Sequence, residues 1–135
     1  MTAVDTSVVV PALLGWHEHH ERCREAAAGA RIPSHALVES YSVMTRLPSP
    51  HRIDGETAQR LLAGWFGPSD VLLAPARVQR DLVRRAAAAA IEGGSVYDGL
   101  VGLTARAHGH TLLTRDLRAA RTYAELGIAV EYLAD

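Results

Sequence analysis

Apolar residues fall into two patterns along this chain. Short apolar runs bounded by turn-forming residues alternate with longer stretches in which apolar positions recur every three or four residues. The first pattern predicts short buried strands and the second amphipathic helices. Strands are expected at 2–5, at Ile32, at 71–73, at 111–113 and at 129–131. The first helix is expected over 7–16, because Pro11 is tolerated only near a helix start. A polar helix over 17–28 is stopped by Gly29. Ser34 opens a helix to residue 47 with Leu37, Tyr41, Met44 and Leu47 on one stripe, and 48–55 reads as a loop. Further helices are expected at 56–66, at 75–92 from Pro75 to the stop at Gly93-Gly94, at 95–108 and at 117–126. Strands separated by helical stretches pair in parallel through crossovers. The expected fold is α/β: a three-layer sandwich with a mostly parallel central sheet flanked by helices, one domain over 1–135.

In such folds ligands gather at the carboxyl ends of the strands, and acids stand at those places. Asp5 closes the first strand in Val4-Asp5-Thr6-Ser7. Asp98 lies in the first turn after Ser95. Asp116 follows the strand 111–113 in Thr114-Arg115-Asp116, and Glu39 lies one turn into the helix opened by Ser34. Hydrolysis of a phosphodiester needs an activated water and relief of charge on the phosphate, and divalent ions supply both. Magnesium and manganese prefer oxygen ligands. Two carboxylates about 4 Å apart repel by roughly 4 kcal/mol at an effective dielectric near 20, so a cluster of four has raised pKa values or binds a cation. Each acid also has a structural reading. Asp5 caps the first helix, Ser95 and Asp98 make a capping box, Asp116 caps the last helix, and Glu39 is a solvated helix residue.

Composition narrows the chemistry. All fourteen basic residues are arginine and there is no lysine, so mechanisms that need one are excluded. The formal charge of −1 argues against a general nucleic-acid coat protein, whose affinity rests on excess positive charge, and leaves open an enzyme with a local site. The single cysteine, Cys23, has no internal disulfide partner and fits a reducing compartment. The first residues lack the basic and apolar regions of a signal peptide, so a cytoplasmic protein is expected. A receiver-type signalling domain needs a lysine near its phosphorylated acid. A haloacid dehalogenase-type phosphatase needs a second acid two residues after the first, where this chain has Ser7. No Gly-Lys-Ser/Thr phosphate loop is present.

Val4-Asp5-Thr6-Ser7-Val8, Glu39 in an early helix, Tyr97-Asp98-Gly99-Leu100 and Leu113-Thr114-Arg115-Asp116 together resemble the PIN-domain ribonucleases. Within them, size and motif order resemble the VapC toxins of VapBC toxin–antitoxin pairs. The resemblance runs from Asp5 to about Val130. It implies that Asp5, Glu39, Asp98 and Asp116 are the catalytic acids, with Asp5, Asp98 and Asp116 holding Mg2+, for which Mn2+ substitutes. Ser7 and Thr114 match its supporting hydroxyls. It further implies an endoribonuclease that cleaves structured RNA (tRNA or rRNA) and arrests translation, a homodimer, and a cognate VapB-type antitoxin. The alternative is a PIN-like module that binds RNA or protein without cutting.

Other signals carry less. His17-Glu18-His19-His20 looks like a metal cluster, yet on a helix only His17 and His20 share a face, and a solvated polar helix explains them. His108 and His110 suit a helix C-terminus. Arg77, Arg80, Arg84 and Arg85 span more than one face of their helix and read as solvated surface. Arg115, beside an acid, is the candidate phosphate contact. The stripes Val9-Leu13 and Leu37-Tyr41-Met44 are core by default, or a groove for a partner helix.

Overall fold

The computed structural model describes residues 1–134. Its strands are β1 (Thr2–Val4), β2 (Ile32–Pro33), β3 (Val71–Leu72), β4 (Thr111–Thr114) and β5 (Val130–Tyr132), and its helices are α1 (Thr6–Leu13), α2 (His20–Ala27), α3 (Ser34–Thr45), α4 (Gly55–Trp65), α5 (Ala76–Ala88), α6 (Ser95–Ala107) and α7 (Ala120–Glu125). β1 pairs in parallel with β4, β4 with β5, and β2 with β3. A parallel bridge between Ala3 and Arg31 joins the two groups, with Val4 N–H donating to Arg31 O at 3.0 Å and Arg31 N–H to Thr2 O at 2.9 Å. The strands therefore run β3-β2-β1-β4-β5.

This order reverses between β1 and β4, and such a reversal opens a crevice at the carboxyl ends of the two strands. Right-handed crossovers place α1–α4 on one face of the sheet and α5–α7 on the other. Helix contacts agree: α1 packs on α2 and α3, α3 on α4, α5 on α6, and α6 on α7, while α3 and α6 also meet each other. The strands are apolar on both faces because helices cover both. Ala3, Val4, Ile32 and Leu112 are fully buried, and Leu113 nearly so. β1 and β4 pair Val4 with Leu113, so Asp5, just past the end of β1, stands beside Thr114, the last residue of β4.

Several element ends differ from the sequence expectation. α1 stops at Leu13, since Leu14 turns to extended backbone (φ −110°, ψ 102°), and turns fill the stretch before α2 begins at His20. His17 therefore lies outside the helix, and its expected shared face with His20 does not form. α5 ends at Ala88 rather than near 92. Ala90 adopts φ 56°, and Ile91 N–H reaches back to Ala86 O at 2.9 Å, which closes a Schellman motif with Ile91 buried. The capping box expected of Ser95 and Asp98 is absent. Gly94 is the N-cap, without a side-chain bond, and Ser95 is already helical. The segment 117–126 opens as a 3-10 turn, Leu117–Ala119, before α7. Val9 and Met44 are fully buried, whereas Leu37 and Tyr41 line an apolar groove of about 540 Å3 with residues of α4.

Candidate active site

The first acid is placed by the end of β1. Asp5 takes extended backbone (φ −96°, ψ 177°) and caps α1, its side chain accepting from Ser7 N–H at 3.0 Å. The Ser7 hydroxyl donates to the same oxygen, Oδ1, at 2.5 Å, and the Tyr123 hydroxyl donates to Oδ2 at 3.0 Å. Asp5 is only 6% exposed. Burial pushes its pKa up, and hydrogen bonds from Ser7, Thr114 and Tyr123 oppose that push.

Asp116 is placed by the end of β4. Its backbone N–H donates to Thr114 Oγ1 at 3.0 Å, and its side chain caps the following turn by accepting from Arg118 N–H at 3.0 Å. Arg118 Nε lies 3.3 Å from the same carboxylate oxygen. Ser7 Oγ stands 3.3 Å from Thr114 Oγ1 and accepts from the Arg115 N–H at 2.8 Å. The two strand ends are thus laced by hydroxyls.

Glu39 arrives from α3 and accepts a hydrogen bond from Thr6 Oγ1. Asp98 arrives from the first turn of α6. Its pKa is raised to about 6, first by burial, then by repulsion from Asp116, Glu39 and Asp5, with Arg118 pulling the other way. Burial and the neighbouring carboxylates also hold the Tyr123 hydroxyl protonated, so it acts as a donor.

The four acids share one place. A recess of about 30 Å3 is lined by Asp5, Glu39, Asp98 and Asp116 together with Ser7 and Tyr123. It opens to a cleft of about 470 Å3 whose wall adds Arg46, Ser95 and Arg118. The recess has room for a water or a small ion. Among the described residues, no three or more His, Cys, Asp or Glu side chains are drawn tightly enough together to hold an ion by themselves. The acids instead face the recess from separate elements. The donors are all oxygen, which suits a hard cation that keeps several waters in its shell, and the charge that raises the Asp98 pKa is what such a cation would relieve.

The cleft also shows residues that sequence reasoning missed. Tyr123 and Thr6 touch the acids directly, and Arg46 and Arg118 line the opening. Arg118 stands two positions after a predicted site acid, a spacing that could have drawn notice. Tyr123 carries no such signal, since periodicity makes it a core residue. Arg115 lines neither recess nor cleft; its charge bears on His17. Elsewhere, His20 Nδ1 meets Pro11 O at 2.9 Å and His108 Nε2 meets Leu73 O at 2.8 Å. Arg84 and Arg85 pair with Asp81, and Cys23 is fully buried. Among the described residues no helix is long and apolar enough to cross a membrane.

Residues 2–125 match the PIN domain family. The chain is 46% identical over 132 residues to Ribonuclease VapC40 of Mycobacterium tuberculosis, covering 97% of this chain and 98% of that protein. It is 43% identical over 134 residues to Ribonuclease VapC27 of the same species, covering 95% and 93%. In fold it is similar to VapBC2 from Rickettsia felis, solved bound to a DNA fragment from their promoter, with a TM-score of 0.67 at 15% identity over 98% of each chain.

Proposed function

The chain belongs to the PIN-domain family, and on that premise we propose that it is a metal-dependent endoribonuclease, the toxin of a toxin–antitoxin pair. One observation carries the reading: four acids from four separate elements face one recess at the reversal point of the sheet. The ribonuclease names of its relatives support it.

Asp5, Asp98 and Asp116 would hold Mg2+, with Mn2+ able to substitute, and Glu39 completes the acidic set. A divalent cation bound there supplies positive charge against the phosphate and makes a water acidic enough to attack near neutral pH. The chain's own residues set the stage for that chemistry. Ser7 and Thr114 keep the ends of β1 and β4 in register, so that Asp5 and Asp116 face each other across the recess. Thr6 holds Glu39 against the same opening. Arg46 and Arg118 line the cleft outside the acids, where the next phosphates of an RNA strand would pass. Arg115 remains a candidate contact for RNA beyond the cleft.

The substrate is proposed to be structured RNA, tRNA or rRNA, whose cleavage arrests translation in the cytoplasm. The partners are proposed to be a VapB-type antitoxin and a second copy of the chain. The complex recorded for VapBC2 supports the first of these.

The test is RNA cleavage in Mn2+, in chelator, and with Asp5→Asn. Cleavage is expected in Mn2+ or Mg2+ and is abolished by chelator. Asp5→Asn should lower it at least about 100-fold, since loss of a supporting residue around a metal already costs 10–100-fold. Attack by water leaves 5′-phosphate and 3′-hydroxyl ends, and 2′,3′-cyclic phosphate ends would refute the mechanism. RNA bound but uncut under every condition would favour a non-cleaving PIN-like module.

A further inference from the structure

We propose that Tyr123 is a positioning residue for the Asp5 carboxylate, fixing the oxygen that Asp5 turns toward the acidic recess. The inference rests on the metal-site reading above and adds a residue to it.

Asp5 has two oxygens in different surroundings. Oδ1 accepts from both the backbone N–H and the hydroxyl of Ser7. Oδ2 accepts from Tyr123, at 3.0 Å, across 118 positions of sequence. The torsion that sets an aspartate's carboxylate plane is broad and weakly restrained by itself. Asp98, Glu39 and Asp116 line the same recess, and Asp98 and Asp5 repel each other. Ser7 and Thr114 also donate to this carboxylate, but loss of the Tyr123 donor removes a bond from Oδ2 and leaves that oxygen freer to swing away from the Asp98 charge. The Tyr123 hydroxyl holds it.

The tyrosine is well built for that task. Its side chain is 2% exposed, so the ring is locked by packing, and it also lines the recess. It reaches Asp5 from α7, on the opposite side of the sheet from α1, so the contact clamps the carboxylate between two layers. A merely structural reading says that a buried hydroxyl needs an acceptor and Asp5 happens to supply one. The two readings separate in what the ion site experiences.

The experiment is Mn2+ titration of the folded protein, followed by electron paramagnetic resonance, for wild type, Tyr123→Phe, and a variant carrying 4-aminophenylalanine at position 123. Phenylalanine keeps the ring and removes the donor; the amino analogue keeps both ring and donor. Circular dichroism melts establish that each is folded at the titration temperature. Tyr123→Phe should bind Mn2+ about 10-fold more weakly, the scale of lost support around a metal ligand. Its half-saturating Mn2+ for RNA cleavage should rise by the same factor, with the rate recovering at saturation, and the amino analogue should restore affinity. Unchanged Mn2+ affinity in Tyr123→Phe, with only a lower melting temperature, overturns the proposal. A wild type that takes up no Mn2+ overturns the metal reading itself, and this inference with it.

Discussion

Ser7 and Arg115, 108 positions apart in sequence, are joined by a 2.8 Å hydrogen bond from the Arg115 backbone N–H to the Ser7 hydroxyl oxygen. That hydroxyl spends its own proton on Asp5. One serine therefore ties the end of β4 to the cap of α1. Ser7→Ala leaves the Arg115 N–H without its acceptor and Asp5 without one donor. Losses of this kind cost about 1–3 kcal/mol, so the unfolding free energy should fall by that amount and the urea midpoint with it. An unchanged midpoint would show that the link contributes nothing to the fold.

Asp98 sets a pH dependence. Its folded pKa is about 6 against a reference of 3.8, so between those values the folded state binds more protons than the unfolded state. Stability must then fall as pH rises through this window. The full shift would correspond to about 3 kcal/mol, but solvent screens a half-buried group, and about 1 kcal/mol is the expected effect. In chelator, Asp98→Asn should be more stable than the parent at pH 7, and the difference should vanish near pH 4. Melting curves at the two pH values decide it.

Arg118 and Arg115 separate two views of how RNA is gripped. Arg118 lines the cleft with its side chain 93% exposed, whereas Arg115 lies outside it. A lost phosphate contact weakens binding for all sequences alike and lowers the slope of log affinity against log salt by about 1. Arg118→Ala should do this for RNA bound in Ca2+. A larger slope change in Arg115→Ala would shift the RNA path away from the cleft.

Ala90 sits at φ 56° in the Schellman turn that ends α5. An L-residue with a Cβ pays about 1–2 kcal/mol there, and glycine avoids that cost while adding some unfolded-state entropy. Ala90→Gly should stabilise the protein by about 0.5–1 kcal/mol. A lower melting temperature for this variant would contradict the strain assigned to Ala90.

Ala90 also shows why some element ends were illegible. The run Ala86–Ala90 offers no stop signal, and the two glycines at 93 and 94 suggested a longer helix. The helix ends early because Ile91 finds burial in the core, a gain that no local pattern announces. Likewise, Ser95 and Asp98 have the spacing of a capping box, but α6 begins one residue before the box could form. Asp98 then faces the recess instead of capping its own helix.

Local sequence alone determined the alternation of strands and helices, the parallel α/β class, and the candidacy of Asp5, Glu39, Asp98 and Asp116. Those properties follow from periodicity and from where acids stand relative to strand ends. Tertiary structure decided that the four acids share one recess, that Arg118 rather than Arg115 lines the cleft outside it, and that Tyr123 reaches Asp5 from the far layer of the sheet. Those are distances between residues as much as 118 positions apart. They are set by strand order and helix packing, and no window along the chain contains both partners.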